Sequence, residues 1–270
     1  MYIDKFKNKG YIFLEAPKTW PQEWISLIEK NRELIINYLN DDAAILEERK
    51  RLKESGRETE IDYFKVNNYN IKFAEFIKHF KALISSTNQQ ILCYHATRLM
   101  DYEVELIKKN GLKKCSLELR KQKIDNLLEH NIINESEYEI LSNKDNNPLI
   151  IKPDRLNNTD LICGYNAFDI NDYEDCGYFL NDYGGEMIDQ ASFSSELKVK
   201  LQKASKPYIV VCVDKVSFFA SKSNKNEKEY FENVIKPYIN NDEIKFLNFQ
   251  LKNIESLPVY DVVQYDLWNE

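Results

Sequence analysis

Apolar positions along the first third of the chain recur every three to four residues, the spacing that places side chains on one helix face. Trp24, Leu27, Ile28, Leu34, Ile35, Tyr38 and Leu39 form one such stripe, and Phe73, Phe76, Ile77, Phe80, Leu83 and Ile84 a second. Thr19 and Gln22 fit a capping box at the start of the first stripe, with Pro21 in its first turn. The charged run over residues 47–60 contains Gly56 and predicts a helix end passing into a loop. His79 falls among the polar positions of the second stripe, so solvation is its ordinary role.

The polar segment from Ser85 to Gln90 marks a change of texture. Residues 91–95, Ile-Leu-Cys-Tyr-His, then read as a short buried strand. Asp101 is placed to cap a helix over residues 102–109, with Glu103 and Glu105 early and Lys108 and Lys109 late, the order the macrodipole favours. Gly111 is the expected left-handed stop, with Ile107 and Leu112 making the accompanying apolar contact. Two further helices are predicted over 117–129 and, after an Asn134/Glu137 capping box, over 135–141. His130 ends the first of them, where a cation is favoured. Strands are predicted over 161–165, 208–213 and 259–265, with a helix over 227–238 between the last two. Helices first and a strand-rich region afterwards suggest an α+β protein: a helical region over 1–88 and a second unit over 89–270.

Composition narrows the field. A chain of 270 residues with 43% hydrophobic residues, 17 Tyr and 14 Phe can build one large core or a catalytic domain with an appendage. No apolar run reaches the roughly 18–20 residues of a membrane span, and Met1 to Lys5 lack the layout of a secretory signal, so a cytoplasmic protein is expected. Five scattered cysteines without a CxxC pair read as reduced thiols, Cys93 and Cys212 as core residues. The net charge of −7 disfavours a broadly basic nucleic-acid binder. Lys113, Lys114, Arg120, Lys121 and Lys123 do cluster, either as a solvated helix face or as a local basic groove.

Most catalytic schemes find no support. There is no GxGxxG, Walker loop, GxSxG or HExxH, and three histidines with no pair at ligand spacing do not make a zinc site. Cys93 precedes His95 by two residues and so shares its face on a strand, which does not by itself make a nucleophile–base pair. Two features carry more. Tyr94-His95-Ala96-Thr97 ends an apolar strand, where an imidazole nitrogen can meet a ribose hydroxyl and Thr97 can add polar contacts. Tyr183-Gly184-Gly185-Glu186 sets two of only seven glycines before an acid, a pattern that admits positive φ and close approach of a ligand to the backbone. Each has an ordinary alternative, a structural histidine and a turn followed by a surface acid.

Taken together, the two features resemble the histidine-type ADP-ribosyltransferases, the superfamily of diphtheria-type toxins and poly(ADP-ribose) polymerases. The strand with Tyr94-His95-x-Thr97, the helix after it and Gly111-Leu112 look like the first NAD-binding motif. Tyr183-Gly184-Gly185-Glu186 looks like the catalytic motif of bacterial toxin members, including mRNA-modifying toxins of phage-defence toxin–antitoxin systems. The likeness spans residues 90–188, extends through the later strands, and leaves residues 1–85 uncovered. It implies a split mixed β-sheet core with an N-terminal helical region, NAD as co-substrate and no metal. His95 would contact the nicotinamide-side ribose, and Thr97 and the backbone at Ala96 the rest of NAD, with Gly185 giving close approach. Glu186 would hold a ribose hydroxyl and stabilise the cationic centre left by nicotinamide. Tyr165 is the first choice for the aromatic that stacks on nicotinamide; Phe168, Tyr178 and Tyr183 are alternatives. The implied acceptor is a macromolecule, nucleic acid such as mRNA before protein, and a toxin implies an antitoxin partner, with the N-terminal helices as its docking surface. No membrane partner is implied. An NAD glycohydrolase and a non-catalytic interaction protein on a decayed transferase fold are the competing readings.

Overall fold

The periodic start of the chain folds as three helices, α1 (Gln22–Lys30), α2 (Arg32–Glu54) and α3 (Asn70–Ser86). The structure, a computed structural model, describes residues 10–143, 161–168, 179–188, 193–215, 227–242, 246–252 and 254–267. Trp24 and Ile28 of α1, Ile35 and Tyr38 of α2, and Phe73, Phe76, Ile77, Phe80 and Ile84 of α3 are buried together. Tyr38 stacks on Phe73 with ring centroids 3.8 Å apart, and Trp24 meets Phe80 edge-on. Such pairs add about 0.5–1.5 kcal/mol each beyond the burial of their area. The expected cap at Thr19 is not formed, because Pro21 takes the N-cap position of α1. The Thr19 hydroxyl is instead bound into the preceding segment, accepting from the Phe13 amide and donating to the Ala16 carbonyl.

Beyond α3 the strand β1 (Gln90–Leu99) leads through Met100 into α4 (Asp101–Asn110), β2 (Leu112–Lys113), α5 (Leu117–Glu129) and α6 (Glu135–Ser142). The strands β3 (Leu161–Phe168), β4 (Lys206–Lys215), β5 (Phe246–Lys252), β6 (Ser256–Leu257) and β7 (Val259–Gln264) follow, with α7 (Ser195–Ala204) before β4 and α8 (Glu227–Asn240) before β5. The protein is α+β. Five strands form a sheet in the order β5-β3-β1-β4-β7, and β2 pairs separately with β6. Every pairing between these strands is antiparallel. The expected mixed sheet is represented among the described residues only by a parallel bridge from Ile12 to Ile91.

β1 is longer than the predicted run. Ten residues, Gln90 to Leu99, pair in register with Lys215 to Lys206 of β4, so His95, Ala96 and Thr97 belong to the strand rather than to a loop. Its alternating side chains feed two cores. Ile91, Cys93 and Leu99 join the helices α1–α3 and α8, whereas Leu92, Tyr94 and Ala96 join Phe13, Leu180, Val211 and Val263 on the other face. One cluster therefore contains residues from before and after Ser86. A third cluster, under α5, α6 and α7, gathers Met100, Ile124, Leu127, Leu141, Tyr183, Ile188, Leu197 and Leu201.

Local signals after β1 are partly met. Met100, not Asp101, is the N-cap residue of α4, and its amide donates to the Glu103 carboxylate at 2.8 Å. Gly111 has φ 82° and ψ 171°, so it is not in the left-handed helical conformation of a Schellman cap. A Cβ there would stand 2.5 Å from the Leu257 carbonyl oxygen, so the glycine permits the β2–β6 approach. Ser116 caps α5, and Asn134 and Glu137 form the predicted capping box of α6. Among the described residues no helix is long and apolar enough to cross a membrane.

Candidate functional site

His95 lies on β1 opposite Val210, half-buried, on the strand face that also carries Cys93 and Thr97. Its Nδ1 is 2.8 Å from the Cys163 carbonyl oxygen of β3. A carbonyl only accepts, so Nδ1 carries the proton and donates, and Nε2 is left as an acceptor in the neutral ring. Burial draws the His95 pKa below its ordinary value; the Cys163 hydrogen bond opposes that, and the nearby Lys123 ammonium adds to it. The result is an imidazole held in one tautomer, with a lone pair suited to a hydroxyl donor.

The second motif forms a tight turn. Tyr183 is fully buried, Gly184 has φ 76°, and Gly185–Ile188 is a short 3-10 helix containing the backbone of Glu186. A Cβ on Gly184 would stand 2.8 Å from Cβ and Cγ1 of Ile188, itself fully buried. Gly184 therefore serves the turn's own packing: its open side is filled by Ile188 rather than offered to a ligand. Apolar anchors at Tyr183 and Ile188 fix the backbone on both sides of Glu186.

Three cations are built into this region, two of them, Arg120 and Lys123, from the cluster that sequence alone reads as a solvated helix face or a basic groove. Arg120 of α5 is buried and donates from Nε to the Met187 carbonyl at 3.0 Å and from Nη2 to the Leu141 carbonyl at 2.6 Å. Arg98 of β1 donates to the carbonyls of Leu180, Gln202 and Ser205 and to the Ser205 hydroxyl. Lys123 makes an ion pair with Glu103, and both side chains are nearly buried. Its ammonium also stands 5.2 Å from the centre of the Tyr183 ring, within cation–π range. Lys123 thus neighbours both motifs, His95 electrostatically and Tyr183 through its ring face. The missed signal is helical spacing: Arg120, Lys123, Ile124 and Leu127 fall at i, i+3, i+4 and i+7, on the stripe that faces the core.

The basic cluster does not form a single groove. Arg120 and Lys123 face inward, Lys114 pairs with Glu255, and Lys121 is exposed beside Asp125. Of the remaining predicted site residues, Ala96 has its side chain buried on the face of β1 opposite His95. Thr97 is half-buried, paired with Tyr208. Tyr183 is packed in the third core cluster with burial raising its hydroxyl pKa well above the ordinary value, which makes it a wall of the turn. Tyr165 and Phe168 lie on β3, with Tyr165 opposite Tyr94, and Gly185 opens the 3-10 turn. The side chains of Tyr165, Phe168 and Glu186, and the whole of Tyr178, lie outside the described part of the structure. His79 is exposed on α3, and His130 caps α5 while stacking on Tyr102 with ring centroids 3.9 Å apart. Cys93 and Cys212 lie opposite each other across β1 and β4 as buried thiols outside any disulfide.

No family model, curated protein or solved structure matches this chain.

Proposed function

We propose that the protein is an NAD-dependent ADP-ribosyltransferase whose site lies between His95 and the Tyr183–Glu186 turn. The observation that carries the reading is the nearly buried Lys123–Glu103 pair, which joins the end of the His95 strand, through the Met100 amide, to the Tyr183 ring although 88 residues of sequence separate Tyr183 from His95. The neutral His95 ring suits NAD: Nε2 accepts from a ribose hydroxyl, while the Cys163 carbonyl fixes the ring's orientation. Glu186, on a backbone anchored by Tyr183, Ile188 and Arg120, supplies negative charge where the nicotinamide-side ribose becomes cationic. The C1′–nicotinamide bond breaks, and nicotinamide leaves with the bonding electrons. A hydroxyl or amine of the acceptor attacks C1′ and gives up its proton to Glu186 or to solvent.

The core would then be of the ADP-ribosyltransferase type, and the protein a cytoplasmic toxin of a toxin–antitoxin or anti-phage system. RNA is the preferred acceptor through the motif resemblance alone, since the cations over 113–123 form no groove; a protein side chain is the alternative. Incubation with labelled NAD and whole-cell lysate, followed by nuclease or protease, separates these outcomes. Label lost to nuclease supports RNA, label lost only to protease supports protein, and free ADP-ribose without an acceptor supports a glycohydrolase. Absence of NAD binding by calorimetry would favour a non-catalytic interaction protein.

A further inference from the structure

We propose that the Lys123–Glu103 pair is a positioning device that clamps the strand carrying His95 to the turn carrying Glu186. The inference rests on the reading that these two motifs form one site. Glu103 reaches back to the amide of Met100, one residue beyond β1, and so fixes the strand end five residues from His95. Lys123 binds Glu103 and lies over Tyr183, three residues before Glu186. Neither charge meets much solvent: the side chains are 12% and 7% exposed. A buried pair of this kind is a weak source of stability, because desolvation offsets most of its attraction. Its placement between the strand end and the turn is therefore the informative feature, beside Arg98 of β1, which binds the Leu180 carbonyl three residues before Tyr183.

The clamp also has an electrostatic consequence. The groups around His95 are the Cys163 carbonyl on β3 and the Lys123 ammonium on α5, with Glu103 and Tyr102 on α4 and Tyr183 on the turn beside that ammonium. With Lys123 in place the imidazole resists protonation, and Nε2 remains an acceptor to lower pH than an ordinary histidine would allow. Without it, one opponent of protonation is lost and the imidazolium, which cannot accept a hydrogen bond, forms at higher pH.

The test is a histidine NMR titration of the full chain without ligand, comparing wild type with Lys123→Met, Lys123→Arg and the double variant Lys123→Met/Glu103→Gln. His79, exposed on α3, serves as an internal reference. In Lys123→Met the His95 titration should move up, the direction expected from losing one neighbouring positive charge. Lys123→Arg should return it towards the wild-type position, and His79 should not move. A role confined to packing would leave the His95 titration unchanged in a folded Lys123→Met protein, and that result overturns the proposal. Should the single variant fail to fold, the double variant, which removes both charges, carries the test: its His95 titration must still rise. NAD calorimetry at two pH values adds the functional arm, with affinity in Lys123→Met falling more at pH 6 than at pH 8. If wild type binds no NAD at either pH, the transferase reading fails, while the His95 titration still decides the clamp.

Discussion

The helices α1–α3 and the region under α5–α7 are both well buried, but they are buried by different means. Around α1–α3 the interior is aromatic and aliphatic: Trp24, Tyr38, Phe73, Phe76 and Phe80 touch one another, and the buried polar residue beside them, Asn67, binds the Tyr38 carbonyl. Under α5–α7, Glu103, Arg120 and Ser205 are buried as well, and Lys123 and Arg98 are directed to partners within the fold. Most of these polar groups hold backbone: the Met100 amide and the carbonyls of Leu141, Leu180, Met187, Gln202 and Ser205. Apolar packing fills space efficiently but tolerates repacking of similar volumes. Charge-assisted hydrogen bonds to backbone fix a segment's position. The first region supplies stability; the second fixes the two segments that carry His95 and Glu186.

The difference is broken most forcefully in the apolar layer. Phe73→Ala removes a stacked, buried ring and should lower unfolding free energy by about 3–5 kcal/mol, read from the denaturation midpoint. Its effect should be global, with hydrogen exchange at residues 183–188 no faster than elsewhere in the fold. Arg120→Met should cost less, about 2–3 kcal/mol, because it strands the buried Leu141 carbonyl and the half-buried Met187 carbonyl. Its exchange should accelerate selectively over 183–188. Equal acceleration everywhere would show that Arg120 contributes only bulk stability.

A buried carboxyl on the other sheet face gives a pH-dependent contrast. Glu15 accepts from the Tyr94 hydroxyl at 3.0 Å, its second oxygen is buried with no hydrogen-bond partner among the described residues, and burial raises its pKa from the usual 4.5 to about 7. The folded state therefore binds the proton more tightly than the unfolded chain. Its contribution is fully present below pH 4.5 and is lost as pH rises towards 7, on the order of 3 kcal/mol in all. Stability curves of Glu15→Gln should lack that decline, whereas a curve parallel to wild type would remove Glu15 as its source. The smallest effects compare two glycines. Gly184→Ala combines positive φ with collision against Ile188 and should cost about 2 kcal/mol. Gly56→Ala, at φ 70° with nothing within 4 Å, should cost about 1 kcal/mol. Equal losses would mean that Ile188 yields to the added methyl.

Local chemistry made much of the fold legible. The ends of α5 and the capping box of α6 depend on neighbouring residues, Ser116 for one and Asn134 with Glu137 for the other, and these signals stand in the chain itself. The length of β1 does not: Thr97 and Arg98 continue the strand because Tyr208 and Pro207 of β4 lie opposite them. Thr19 is similarly diverted from capping by the carbonyl of Ala16 and the amide of Phe13. At the site, the motifs around His95 and Gly184 were visible as unusual local patterns, whereas Arg120 and Lys123 looked like solvated charges. Only their spacing with Ile124 and Leu127 hinted otherwise, and their partners Met187 and Glu103 lie on other elements.

Nicotinamide release from NAD in the presence of cell lysate, compared between wild type and Glu186→Gln, tests the central claim most directly. Wild type should release nicotinamide, and Glu186→Gln should bind NAD while its release falls on the order of 100-fold or more. Undiminished release by Glu186→Gln, or a wild-type protein that neither binds NAD nor liberates nicotinamide, would contradict the account.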